Sequence, residues 1–88
     1  MEVSGKVHLI QTEEQISASF KKRLLVVETD GEYPQLIPID FVQDKTSKID
    51  GFSIGDKVKV AINLRGNEYN DKYYLSAQGW KIEKSDNF

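Results

Sequence analysis

Gly55-Asp56-Lys57-Val58-Lys59-Val60-Ala61-Ile62-Asn63-Leu64-Arg65 is the stretch on which the fold turns. Val58, Val60, Ile62 and Leu64 fall on every second position, with Lys57, Lys59, Ala61, Asn63 and Arg65 between them. A period of two belongs to a strand with one buried and one solvated face. Ser53 to Asp56 supplies the turn that leads into it. Towards the amino terminus, Val3, Gly5, Val7 and Leu9 alternate with Glu2, Ser4, Lys6 and His8 in a first strand, where an inward Gly5 marks a bend or bulge. Gln11 to Ser19 is polar apart from Ile16 and Ala18 and reads as a loop able to extend a flanking strand. Phe20 to Thr29 (FKKRLLVVET) is a second strand whose apolar run leaves its inward parity open.

Asp30-Gly31 has the chemistry of a tight turn, and Ile37, Ile39 and Phe41 then alternate with Leu36, Pro38 and Asp40 in a third strand. Pro38 lacks a backbone donor and belongs at a sheet edge or a break in the ladder. Gln43 to Ile49 (QDKTSKI) reads as a short helix ended by Gly51. Beyond the opening stretch, Gly66 to Asp71 (GNEYND) reads as a polar loop, and Tyr73 to Lys84 as a last strand bulged at Gly79. Residues 1–84 therefore form the domain, with Ser85 to Phe88 as a tail.

Composition limits what such a domain can be. Eighty-eight residues support one small core. Seven Val and eight Ile against three Ala favour strands, because β-branched side chains pack well on a pleated surface. Twelve Lys plus Arg against 14 Asp plus Glu give a net charge of -2, so an anion site must be a local patch. No apolar run approaches the ~20 residues of a membrane span. The absence of cysteine removes disulfides and thiol chemistry, and with no signal-like start the expectation is a cytoplasmic protein.

Three strands, a short helix and two strands is the order of the five-stranded OB-fold Greek-key barrel, an all-β fold whose helix sits between strands three and four. SH3-like barrels share the strand number but usually lack that helix. Gly55 to Val60 (GDKVKV) resembles the K-G-D-x-V-x-V segment of bacterial single-stranded DNA-binding proteins, and Tyr33 to Val42 (YPQLIPIDFV) resembles their third strand. Leu64 to Leu75 (LRGNEYNDKYYL) is similar to that family's following hairpin, and the whole pattern from MEVSGKV to QGWKIEK is similar to a group of short bacterial OB-fold proteins of unassigned function. The resemblance implies an OB domain of the single-strand-binding or primosomal type. Its departures are a short loop between the fourth and fifth strands and an acidic loop at Glu13-Glu14.

Single-strand binding needs cations for phosphates and exposed rings for bases. Phe20, Lys21, Lys22 and Arg23 offer both at the start of the second strand, where OB domains place their site; the competing reading is a core Phe beside a solvated edge. Lys57, Lys59 and Arg65 form a basic stripe on the fourth strand, and Arg65, Tyr69, Lys72, Tyr73 and Tyr74 interleave charge with rings around one hairpin. Adjacent Tyr73 and Tyr74 must point to opposite sides, one into the core and the other available for stacking. Trp80 is assigned to packing. One histidine, no thiol and no phosphate-binding loop argue against an enzyme, and no cofactor or metal is implied. The expected partner is single-stranded DNA, with RNA open, bound in replication, repair or recombination by a homodimer or higher homo-oligomer. A protein-interaction module is the alternative. The tail resembles a minimal version of the acidic, Phe-terminated tip by which single-stranded DNA-binding proteins dock replication and repair proteins.

Overall fold

The computed structural model describes residues 1–85. The alternating stretches become strands: β1 (Glu2–Ile10), β2 (Glu14–Ser17), β3 (Phe20–Thr29), β4 (Leu36–Val42), β5 (Lys57–Tyr69) and β6 (Lys72–Lys84). A 3-10 helix covers Gln43–Ile49, between β4 and β5. Its three-residue turn stacks Thr46 and Ile49 on one side, and these are its buried residues. Gly51 follows with a left-handed φ of 91°, reversing the chain towards β5.

β1 pairs antiparallel with both β3 and β5, β3 with β4, and β5 with β6. Ile39 opposite Ala77 and Asp40 opposite Gln78 join β4 to β6 in parallel and close the ring. Five strands thus form the barrel. β2 stands outside it, pairing with the first residues of β3, so the segment expected as a loop does extend the neighbouring ladder. Pro38 lies opposite Val26, one residue before the β4–β6 pairing begins, where no ladder on that side needs its missing donor.

The barrel interior holds Val7, Leu25, Val27, Ile39, Phe41, Val58, Val60, Ile62 and Ala77, with Ile49 of the helix closing one end. β3 therefore resolves its parity with Leu25 and Val27 inward. In β1 the extra residue is His8, since Val7 faces Val27 and Leu9 faces Val26. That bulge turns Leu9 outward and Ile10 towards the core, reversing the expected phase at the strand's end. Gly5 serves a different purpose from the expected bend: a Cβ there would stand 2.0 Å from the Glu28 carbonyl oxygen, so its bare backbone lets β1 and β3 approach. A Cβ on Gly79 would stand 2.4 Å from the Phe41 ring, and the bulged residue of β6 is its neighbour Trp80, skipped between Gly79 and Lys81. The expected tight turn at Asp30-Gly31 is a longer loop, held where the Thr29 amide donates to the Gln35 carbonyl and the Gln35 amide to the Thr29 hydroxyl, each at 2.9 Å. At the other end, the Ser85 amide still donates to the Lys57 carbonyl at 2.9 Å, while the expected docking tip lies outside the described residues.

Candidate nucleic-acid interface

The polar stretch GNEYND is not a loop. β5 and β6 stay paired from Asn63↔Gln78 out to Tyr69↔Lys72, leaving only Asn70 and Asp71 to turn the chain. Both turn residues have left-handed φ, 52° and 60°. Two successive left-handed residues are what a two-residue hairpin with the natural strand twist demands, and Asn and Asp tolerate that conformation better than most. The seven pairs from Asn63↔Gln78 to Tyr69↔Lys72 make a ribbon roughly 24 Å long at about 3.4 Å per residue, giving the molecule its 45 Å long axis. We call this ribbon the arm.

Opposed residues share a face, so the register decides which side chains meet. One face of the arm carries Arg65, Asn67, Tyr69, Lys72, Tyr74 and Gln78. The Arg65 guanidinium donates to the Gln78 side-chain oxygen at 3.2 Å, which fixes it across the ribbon. Followed down β5, the same face becomes the outer wall of the barrel, with Lys57 and Lys59 on β5, Lys81 and the bulged Trp80 on β6, and Lys6 on β1. Lys6 stands directly opposite Lys57. Like charges in that position destabilise a sheet. Carboxylates on this face are Glu2, Glu83 and, opposite Lys6 on β3, Glu28.

Among the described residues the ion pairs are Lys21 with Glu13 at 3.6 Å and Arg23 with Asp50 at 2.6 Å. Lys6, Lys57, Lys59, Arg65, Lys72 and Lys81 take part in neither. Arg23 shares the inward parity of Leu25, and its guanidinium reaches across the barrel end to the Gln11 carbonyl at 2.9 Å and to Asp50. It thereby ties the segment after β1 to the end of the helix. Beside it, the buried Thr46 hydroxyl lies 2.5 Å from a Glu13 carboxylate oxygen and 3.0 Å from the Gln43 carbonyl. That hydrogen bond, helped by Lys21, holds the Glu13 carboxyl below the usual range, against the smaller opposing effect of desolvation.

The expected site residues thus fall into two groups. Lys57, Lys59, Arg65, Tyr69, Lys72 and Tyr74 share one surface. Lys21 and Arg23 are engaged at the barrel end, while half-buried Phe20 and Lys22 lie away from the arm at the start of β3. Tyr73 faces the opposite side from Tyr74, and neither enters the core: they are 79% and 53% exposed. Leu64, expected inside, is half exposed because the arm has left the barrel, and Ala61, expected outside, is buried beside the bulge. Trp80 is 45% exposed, not packed away. Lys6, Trp80 and Lys81 were missed as members of the surface. The alternation of β1 already turns Lys6 outward, but only the β1–β5 register brings it to Lys57.

Five strands closed through a parallel β4–β6 seam, with a helix between β4 and β5, define an OB-fold barrel. The chain belongs to the family described as Domain of unknown function (DUF3127), whose model matches residues 2–83. A comparison with curated proteins finds no match. Among solved structures, the dimeric N-terminal domain of the PriB protein from Thermoanaerobacter tencongensis is similar over 99% of this chain and 96% of its own, at 20% identity and a TM-score of 0.72. A small single-stranded DNA-binding protein from Streptomyces coelicolor is similar over 98% of this chain and 93% of its own, at 12% identity and a TM-score of 0.60.

Proposed function

We propose that this chain is a cytoplasmic, non-enzymatic protein that binds single-stranded DNA as a homodimer during replication, repair or recombination. The observation that carries the reading is the continuous outer face of β5 and β6, where Lys57, Lys59, Arg65, Lys72 and Lys81 alternate with Tyr69, Tyr74 and Trp80. Cations outside the ion pairs of the described residues suit phosphates, and exposed rings suit bases, each stacked base contributing ~1–3 kcal/mol. Lys6 stands between Glu28 and Lys57, and a bound phosphate would relieve the like-charge contact on the Lys57 side. The single-stranded DNA-binding protein among the similar structures supports the ligand class, and the dimeric PriB domain supports the assembly. The strand runs along β5 and the arm. The outer face of β3 and β4 is less suited, since Leu24, Val26, Pro38 and Val42 occupy it with few charges and no ring but Phe20.

Fluorescence anisotropy with oligo-dT, oligo-U and duplex probes at two salt concentrations tests this. Oligo-dT binds in preference to duplex, and about four neutralised phosphates at ~0.7 each give a log-log salt slope of roughly -3. No binding of oligo-dT at micromolar protein and low salt refutes it.

A further inference from the structure

The arm has a second face that DNA binding leaves unused. Glu68 and Tyr73, Gly66 and Leu75, and Leu64 and Ala77 stand opposite one another on it. No layer among the described residues covers it: Leu64 is 48%, Leu75 72% and Tyr73 79% exposed. A two-stranded ribbon is at best marginally stable alone in water, so an uncovered apolar face is an unusual thing to extend from a barrel. A trough runs along this face. Its deeper part, about 530 Å³, lies where the arm leaves the barrel, between Met1, Val3, Ile37, Pro38, Leu64 and Leu75. Leu75 also borders a second, shallower hollow of about 450 Å³ over Gly66, Glu68 and Tyr73, whose rim includes Asn67 and Tyr74 of the other face. Gly66 keeps the floor low, for a Cβ there would have nothing nearer than the Tyr74 carbonyl oxygen at 3.9 Å.

The charges argue against a nucleic acid strand as the occupant. No Lys or Arg lines either hollow; the ionisable acids that do are Asp40 and Glu68. A nucleic acid strand would meet two carboxylates and, among the described residues, no cationic side chain, the amino terminus at Met1 being the one positive group nearby, which is far from the basic groove it needs.

We propose that this trough is the seat of a second copy of the chain, docked arm face to arm face in a twofold dimer. The inference rests on the homodimer reading above and names its surface. Holes and projecting side chains lie on the same face, as a self-complementary interface requires: the trough offers the hole, while Leu75 and Tyr73 supply the projections a twofold axis would carry into the partner's trough. The opposite face cannot serve. Two copies meeting there would set Lys57, Lys59, Arg65 and Lys72 against their own likeness, and like-charge juxtaposition costs several kcal/mol. Docked this way, both basic faces point outward and stay open to DNA.

Sedimentation of the full chain and of Leu75→Asp and Gly66→Tyr, with oligo-dT anisotropy on the same samples, tests the proposal. The unmodified chain sediments as a dimer at about 10 µM, a concentration at which micromolar complexes are largely formed. Leu75→Asp, present twice per dimer, raises the dissociation constant at least a hundredfold. Gly66→Tyr raises it at least tenfold by filling the trough, with open space for its Cβ. Oligo-dT affinity per protomer changes less than threefold in both. If both variants remain dimers, or lose oligo-dT binding while still dimeric, the trough is not the interface and the proposal falls. A chain that is monomeric throughout yet binds oligo-dT overturns the dimer alone. Variants that become monomers of a chain with no oligo-dT affinity sustain the interface and overturn the DNA reading.

Discussion

The barrel and the arm are made from the same two strands, β5 and β6, and differ in what stands behind their inner side chains. Below Ile62 the inward residues Val58 and Val60 meet a closed core and are fully buried; above it Leu64 and Leu75, in the same phase, meet solvent. Alternation therefore encodes which side a residue takes, while burial depends on whether another layer covers that side. On the barrel one face is structural and one is free. On the arm neither face is covered by another layer of the described residues.

Val60→Asp should break the barrel side of that comparison with the largest effect. An unpaired carboxylate among fully buried side chains costs about 4 kcal/mol or more, enough to abolish the cooperative transition followed by circular dichroism. Next in size, Lys57→Glu with Lys59→Glu should weaken oligo-dT binding by about a hundredfold and flatten its salt dependence. The melting temperature should stay nearly constant, and a marked fall would show that the outer wall is structural.

Paired tyrosine variants sharpen the contrast within the arm. Tyr74→Ala should lose about tenfold in oligo-dT affinity, in line with one stacked base at ~1–3 kcal/mol. Tyr73→Ala, on the other face, should leave that affinity within about twofold and weaken self-association instead. Equal losses of DNA binding would erase the distinction between the faces.

The smallest effect belongs to the barrel end. Glu13 titrates below its ordinary range in the folded chain, so its contribution is present above the unfolded value of about pH 4.3 and is lost as the pH falls through the folded value. The melting-temperature difference between the unmodified chain and Glu13→Gln should therefore be constant near neutrality and shrink as the pH falls below the unfolded value. A difference independent of pH would refute this role for its ionised form.

The barrel was legible because its strands obey a period of two and its helix interrupts them at one place. The arm was not, because Gly66, Asn67 and Glu68 have the polarity of a loop, and a ribbon exposed on both faces shows no apolar alternation. Its one local sign was Asn70-Asp71 between Tyr69 and Lys72, a dipeptide suited to a left-handed turn. The basic surface was legible along β5, where Lys57, Lys59 and Arg65 are evenly spaced. Its width was not, since Lys6 and Lys81 join it through pairings between distant strands. Arg23 marks the opposite failure: a cation beside an aromatic suggested a phosphate site, whereas its inward parity and Asp50 make it a tether.

The ring closes on two residue pairs, Ile39↔Ala77 and Asp40↔Gln78, whereas β5 and β6 share twelve. Such uneven stitching implies a hierarchy of opening, with the parallel seam parting before either hairpin frays. Hydrogen exchange should find the amides of Ile39 to Phe41 and Ala77 to Gly79 less protected than those of Val58 to Ala61. The seam borders the trough, where Ile37, Pro38 and Asp40 face Leu75 to Ala77. A copy seated there would act as an external clamp on the barrel's least protected join, so protection of these amides should rise with protein concentration while that of β5 stays level.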